Sequence, residues 1–264
     1  MLVRHRFMRL RLAPPPMFPY RMLAGLYDDL VGRPFFAWVR RMFADLVHRH
    51  RIAFDSAADL GCGTGLFARH LSRAWRIPVF GVDRSPEMLQ IAARNCRDVP
   101  VALLHQDIRQ LRLPRRVDLV TANFDTVNHL LHPADLVSLF QQVNRALNDG
   151  GHFVFDFIPP CGPQASVSVH HRDSPDGSKG VTQRIQWTPS TQLLSYRIQL
   201  RGSSCSPPGI ELHTERTYEP SDIAKWLSET GFIVREVRDA TTLKGMSFCP
   251  RRVVVVAQKR AAVM

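Results

Sequence analysis

Long apolar runs are missing from this chain. The longest β-branched stretch, residues 253–256, is strand-sized, well short of the ~18 residues that cross a bilayer, so a helical membrane protein is excluded. Cysteine is scarce and unpaired: Cys62, Cys96, Cys161, Cys205 and Cys249 are odd in number, scattered and never in a CxxC pair. That excludes a disulfide framework and a zinc centre, and it points to a reducing, cytoplasmic compartment. No internal repeat is present. Acidic residues are also short, 23 against 35 Lys and Arg, for a net charge of +12. Such an excess suits a nucleic-acid or anionic-membrane partner, yet the arginines are dispersed and no aromatics alternate with them as stacking platforms require. Nucleic acid is therefore an unfavoured partner. What is present, 45% hydrophobic and 22% charged residues, matches ordinary globular composition and fills a full core.

Residues 1–19 carry Arg4, Arg6, Arg9 and Arg11 and end on Pro14, Pro15 and Pro16. They are expected to form a disordered basic arm, with no apolar centre of a secretory signal. Residues 20–264 read as one main domain. Phe35, Phe36, Trp38, Val39, Met42, Phe43, Leu46 and Val47 recur at helical spacing and place one wide apolar stripe on a helix over 34–51. Strands are then predicted at 56–60, 79–82, 101–104, 117–122 and 152–157, alternating with helices as a parallel sheet requires. Ser85 and Pro86 form an N-cap and first-turn start signal. Pro133 opens a helix that Asp149, Gly150 and Gly151 are expected to end.

The rhythm breaks over 159–217, which is rich in Pro, Gly and Ser. Alternating segments at 181–187 and 193–200, joined by a turn around Pro189 and Ser190, predict an antiparallel insertion that lids the site. A helix capped by Ser221 and strands at 232–237 and 252–257 complete the pattern. The expected fold is α/β: a Rossmann-like, doubly wound, seven-stranded sheet with an antiparallel C-terminal edge strand and a β insertion after the fifth strand.

The sharpest signal is Asp59-Leu60-Gly61-Cys62-Gly63-Thr64-Gly65, at a strand end and a helix start. Its glycines allow a tight bend and close ligand approach, and the helix N-terminus offers free N–H groups. Asp83 follows Gly61 by 22 residues, at the end of the next strand, where a carboxylate can accept from ribose hydroxyls. A nicotinamide enzyme would carry G-x-G-x-x-G; Phe67 and Ala68 stand where its third glycine would be sought. Asp59 would also repel a pyrophosphate and suits a ligand bearing an ammonium.

These segments, with Asp83-Arg84-Ser85-Pro86-Glu87-Met88-Leu89, Gln106-Asp107-Ile108 and Leu147-Asn148-Asp149-Gly150-Gly151, resemble the successive motifs of class I S-adenosylmethionine-dependent methyltransferases over about residues 20–160. Tyr27-Asp28-Asp29-Leu30, the run from Asn123 to Leu130 and Glu215-Arg216-Thr217-Tyr218 are similar to a bacterial small-molecule subset that includes amino-sugar N-methyltransferases. The resemblance implies S-adenosylmethionine as cofactor. It would be held by Asp59, Gly61, Cys62 and Gly63 at the methionine end, Asp83 at the ribose, and Arg84, Met88, Asp107 and Ile108 around the adenine. Asn123 or Phe124 would lie beneath the sulfonium and Tyr27 would close over it. His129 is the candidate base. Tyr20, Asp125, Asn128, His213 and Arg216 are candidates to bind the acceptor.

The expected activity is in-line methyl transfer to a nitrogen or oxygen of a small molecule. An RNA-modifying enzyme and a non-catalytic cofactor-binding module are the alternatives; against the former, the loop after the fourth strand reads Asn123-Phe124-Asp125-Thr126 instead of the (Asp/Asn)-Pro-Pro-(Tyr/Phe) of base-directed enzymes. A homodimeric assembly is left open.

Overall fold

The structure, a computed structural model, describes residues 19–174, 176–202, 209–240 and 252–261. All of the expected basic arm but Pro19 lies outside them. The chain enters through a strap that becomes helix α1 (Ala24–Tyr27), a π-helical turn (Asp28–Gly32) and helix α2 (Arg33–His50). The predicted stripe is real: Phe35, Trp38, Val39, Met42, Phe43 and Leu46 are all buried, at about 1.5 to 3 kcal/mol per large side chain. Arg51 in a left-handed conformation stops the helix.

Then come β1 (Ala57–Leu60), α3 (Leu66–Trp75), β2 (Val79–Asp83), α4 (Pro86–Asn95), β3 (Val101–His105), β4 (Val117–Ala122), α5 (Pro133–Ala146) and β5 (Leu147–Phe157). After β5 the chain builds β6 (Ser166–Asp173), β7 (Gly180–Thr188), β8 (Leu193–Arg201) and β9 (Gly209–Arg216), followed by α6 (Pro220–Glu229), β10 (Phe232–Asp239) and β11 (Val253–Lys259). The main sheet runs β10-β11-β5-β4-β1-β2-β3. Its β1, β2, β3, β4 and β5 pair in parallel, whereas β11 is antiparallel to both β5 and β10. The seven-stranded sheet and its antiparallel C-terminal strand are as expected, with β10 forming the rim outside β11.

Period-two alternation divides two cores. Phe153, Phe155 and Phe157 face α5 and α6, where Leu136, Leu139, Phe140, Ile223 and Leu227 cover them. Val154, with Val254 and Val256, faces α2 and α3 on the other side. Two boundaries differ from the sequence reading. Helix α5 stops at Ala146, and Leu147 is already extended; of the glycines expected to end it, Gly150 has φ +76° but sits inside β5. Helix α6 begins two residues earlier than expected: Glu219, and not Ser221, holds the N-cap position, with no side-chain cap bond, because Pro220 supplies the fixed φ of a first helical residue.

The insertion is a four-stranded antiparallel sheet, β6-β7-β8-β9, in which the two predicted strands are the middle pair. Val181, Ile185, Trp187, Leu194, Ile198 and Leu200 pack against Leu23, Leu26 and Leu30 of the strap and against Ile158. On β9 the usual pattern is inverted: Glu211, His213 and Glu215 point inward and are buried, while Ile210 and Leu212 are exposed.

Candidate active site

The glycine loop lies between β1 and α3, at the carboxyl ends of the parallel strands, where ligands collect in open α/β sheets. Gly61, Gly63 and Gly65 all adopt left-handed conformations, φ +64°, +54° and +79°. A Cβ on Gly61 would stand 2.3 Å from Thr126 Oγ1, whereas one on Gly63 would meet nothing within 4 Å. Gly61 is thus needed for packing, and Gly63 keeps a cradle open. The loop is stitched to its neighbour strand: Cys62 N–H donates to the Val82 carbonyl at 3.0 Å, and Gly63 N–H to Asp83 Oδ2 at 2.8 Å. Asp83 Oδ1 accepts from Ser85 N–H at 2.8 Å, which fixes the carboxylate at the mouth of α4.

These residues line a cleft open to solvent, with about 1000 Å³ of empty space that includes its mouth. Every residue expected to hold the cofactor borders it: Tyr27, Asp59, Gly61, Cys62, Gly63, Asp83, Arg84, Met88, Asp107, Ile108, Asn123 and Phe124. Asp59 is 2% exposed and its Oδ1 accepts from the Thr121 hydroxyl at 2.7 Å. Burial pushes its carboxyl up to about 7, opposed by Thr121 and reinforced by the charge on Asp83. Burial raises Asp83 as well, while the amides of Ser85 and Gly63 oppose the rise. Asp107 caps the short turn Ile108–Gln110 and is held low by its hydrogen bonds with Arg109.

Asn123 is the telling wall residue. It is 3% exposed, it neighbours Asp59 without meeting hydrogen-bond geometry, and neither Nδ2 nor Oδ1 has a partner. Orphaned buried amides are rare and mark a missing ligand or water. Together with the open cradle at Gly63 and carboxylates at both ends, this fits a nucleoside carrying a cationic amino-acid moiety.

A second chamber adjoins the first beneath the insertion sheet, sharing Tyr20, Tyr27 and Phe124 with it. Asp125, His213, Glu215, Tyr196, Gln183 and Arg252 also line it. The expected acceptor residues divide here. Tyr20 stands between the chambers, and Asp125 and His213 face the second. Asn128 does not: its Nδ2 donates to the Ile158 and Arg216 carbonyls at 3.0 and 2.7 Å, and its Oδ1 accepts from Ile158 N–H at 3.0 Å. Arg216 borders neither chamber, its guanidinium reaching the Leu131 carbonyl at 3.4 Å. Both tie β9 to the loop after β4.

His129 borders the first cavity with its Nε2 3.0 Å from the Tyr20 hydroxyl. Burial pushes the Tyr20 phenol well up, so it keeps its proton and donates it. Burial likewise pushes His129 down to about 4. The imidazole therefore rests neutral, with its Nε2 accepting from Tyr20.

The sequence reading missed three groups. Asp28 Oδ1 accepts from the Thr64 hydroxyl at 2.5 Å and its Oδ2 from Asn95 at 3.1 Å, which pins the π-turn to the glycine loop. Arg252 donates to Asp156 and, at 3.0 Å, to Asp125. Glu215 Oε2 accepts from the Tyr196 hydroxyl at 2.8 Å. The signal that could have found the last was the polar period-two run Glu211, His213, Glu215.

Fold, loop and cavity are like those of S-adenosylmethionine-dependent methyltransferases. Residues 57–151 match the family described as a methyltransferase domain. Over 252 residues the chain is 27% identical to a Geobacillus sp. (strain WCH70) protein with a provisional methyltransferase name and no stated acceptor, covering 91% of this chain and 99% of that one. It is 40% identical over 108 residues to the dTDP-3-amino-3,6-dideoxy-alpha-D-glucopyranose N,N-dimethyltransferase of Streptomyces fradiae, 40% of this chain and 41% of that one. The fold is that of an S-adenosylmethionine-dependent methyltransferase from Clostridium acetobutylicum ATCC 824, with TM-score 0.74 at 24% identity, covering 92% and 99% of the two chains. Among the described residues no helix is long and apolar enough to cross a membrane, and no cluster of His, Cys, Asp and Glu could hold a metal.

Proposed function

We propose that the protein methylates a nitrogen or oxygen of a small-molecule acceptor held in the second chamber, under residues 159–217 as a lid. The observation that carries this reading is that the two cavities lie side by side, sharing Tyr20, Tyr27 and Phe124 as common walls. A cofactor cavity that opens beneath a packed sheet suits a compact acceptor better than an RNA duplex, and the sugar-modifying relative points the same way.

Bound in the first cavity, the cofactor supplies a methyl group already activated on a sulfonium. The chain's part is then binding, alignment and exclusion of water, worth up to ~7 to 11 kcal/mol for well-oriented reactants. Asp59 and the backbone of Gly61, Cys62 and Gly63 hold one end of the cofactor; Asp83, Arg84, Met88, Asp107 and Ile108 hold the other. Tyr20 and Tyr27, 5.9 Å apart edge to face, wall the boundary, and the Tyr20–His129 hydrogen bond fixes both rings. The reaction belongs in the cytoplasm, where the cofactor is made and free thiols survive.

Incubation with methyl-labelled S-adenosylmethionine and a cellular metabolite extract, followed by mass analysis, is expected to give a labelled small molecule that Asp83→Ala does not produce. Label in tRNA, with a steep salt dependence, would move the assignment to nucleic acid.

A further inference from the structure

The inner wall of the second chamber carries more than a small apolar acceptor would need. Strand β9 turns Glu215 inward at 4% exposure, with Tyr196 on one oxygen and His129 Nε2 at 3.8 Å from the other. His129 borders the cofactor cavity, so the Glu215 carboxyl lies one side chain away from it. Asp125 faces Glu215 from the loop after β4 and interacts with it directly. On β7, Gln183 is 9% exposed and borders the chamber, and its amide makes no hydrogen bond to another described residue. A buried polar side chain left unpaired beside a cavity is a group waiting for a ligand.

We propose that Glu215 and Asp125 receive the reacting nitrogen of the acceptor as an ammonium, that Glu215 takes its proton, and that Gln183 reads a polar substituent on the opposite wall. The proposal rests on the small-molecule reading above and gives it a nitrogen nucleophile. Of the neighbouring cations, Arg252 draws the Glu215 carboxyl down, by less than burial and Asp125 raise it. Arg252 is committed to Asp156 and Asp125, and Arg172 of β6 donates to the Leu30 carbonyl. Of the other titratable groups around the chamber, Tyr20 is bonded to His129, and His213 pairs with Glu211.

Burial, with the charge of Asp125 added, raises the Glu215 carboxyl well above its ordinary range, so the resting pair keeps a proton. An entering ammonium displaces that proton to solvent by supplying the positive charge instead. The ionised Glu215 is then a stronger base than an exposed carboxylate. The N–H bond breaks first, its proton forming an O–H bond on Glu215 and its electron pair staying on nitrogen; that pair would then form the C–N bond to the methyl carbon as the methyl–sulfur bond breaks, its electrons passing to sulfur and leaving a neutral thioether.

The test compares cyclohexylammonium with cyclohexanol as probes of one shape, titrated by calorimetry into protein saturated with S-adenosylhomocysteine, in buffers of differing ionisation enthalpy. The wild type is expected to prefer the ammonium and to release a proton on binding it. Glu215→Gln should weaken the ammonium about tenfold or more and abolish the proton release, leaving cyclohexanol unaffected. Asp125→Asn should weaken it in the same direction. Gln183→Met, which removes no internal hydrogen bond, should leave both probes unchanged but weaken trans-4-aminocyclohexanol, and it keeps the proposal testable if Glu215→Gln does not fold. Equal binding of the two uncomplicated probes by the wild type, or unchanged proton release in Glu215→Gln, overturns the proposal. Ammonium binding without methyl transfer to any extract component would overturn the function and leave the chamber assignment supported.

Discussion

The backbone N–H of Gly63 donates to Oδ2 of Asp83 across 2.8 Å, joining the two motifs that the sequence presents 20 residues apart. The bond sets the carboxylate beside the glycine bend before any ligand arrives. Preorganisation of this kind spares the cofactor the cost of assembling its own site.

Gly63 and Gly61 should therefore respond differently to a methyl group. Gly63→Ala places it in open space and costs the fold only the left-handed conformation, roughly 1 to 2 kcal/mol, or a few degrees in Tm. Its Cβ projects into the cradle, so calorimetry should show cofactor affinity falling by about tenfold or more. Gly61→Ala drives its Cβ to 2.3 Å from Thr126 Oγ1 and should lower Tm by clearly more. Equal melting temperatures for the two variants would contradict this division of roles.

Asp59 makes the free protein's stability depend on pH. Its folded carboxyl is raised to about 7 from the ordinary aspartate value of 3.8, so between those limits the folded state binds more protons than the unfolded one. Stability contributed by the protonated form is present at low pH and is lost as pH rises from about 4 to 7, by about 4 kcal/mol at most. Asp59→Asn should flatten that slope and raise Tm at pH 8, while weakening the cofactor. A variant no more stable than wild type at pH 8 would mean that the carboxylate is not strained by burial.

How far the sequence carried the reading depended on whether a local rule or a long-range contact decides each residue. Ser85 and Pro86 announce α4 because capping is local: the Ser85 hydroxyl accepts from Met88 N–H at 3.2 Å, as expected. The cofactor cavity was legible because one turn and one strand end build most of it. The insertion was half legible. Strands β7 and β8 alternate with apolar residues inward, whereas β6 is an edge exposed along nearly its whole length and β9 buries its polar face, so neither shows the expected period. Asn128 and Arg216 were expected among the acceptor ligands from the resemblance; only tertiary contact reveals that Asn128 bonds the backbone of Ile158 and Arg216 and that the Arg216 guanidinium reaches the Leu131 carbonyl.

Arg252 lies outside every motif, yet it should be the costliest side chain of the site to lose. It pairs with Asp156, which is 0% exposed, and Asp156 in turn accepts from Phe124 N–H at 2.7 Å and Asp125 N–H at 3.3 Å. Those two residues hold left-handed conformations, φ +61° and +52°, which cost energy and persist only when their surroundings enforce them. Arg252→Met leaves a buried carboxyl unpaired, at about 3 to 5 kcal/mol. Adding Asp156→Asn should recover a substantial part of the loss, since the amide can still accept from Phe124. A strictly additive double variant in denaturant unfolding would show that the two residues act independently.

Glu211 holds the strap that walls the site. Its Oε2 accepts from Tyr20 N–H at 3.1 Å, its Oε1 from Leu23 N–H at 3.0 Å and from Met22 N–H, and His213 sits 2.9 Å from Oε2. One buried carboxylate thus caps three backbone donors, those of Tyr20, Met22 and Leu23, in a segment about 190 residues away in sequence, and it is held below the usual carboxylate range by His213 and the amides of Met22 and Leu23 acting against burial. Charge-assisted bonds of this type contribute about 1.5 to 3 kcal/mol each. Glu211→Ala should raise amide exchange over residues 20–27 and weaken S-adenosylhomocysteine by about tenfold through loss of the Tyr20 and Tyr27 wall, with exchange in β1 and β4 unchanged. Glu211→Gln, which keeps one acceptor oxygen, should fall between the two. Because the folded carboxyl is depressed, the anchoring is present at neutral pH and is lost as pH falls through its folded value, so the strap of the wild type should loosen on acidification, while that of Glu211→Gln does not change. Uniform protection of residues 20–27 across that pH range in both proteins would place the anchor elsewhere.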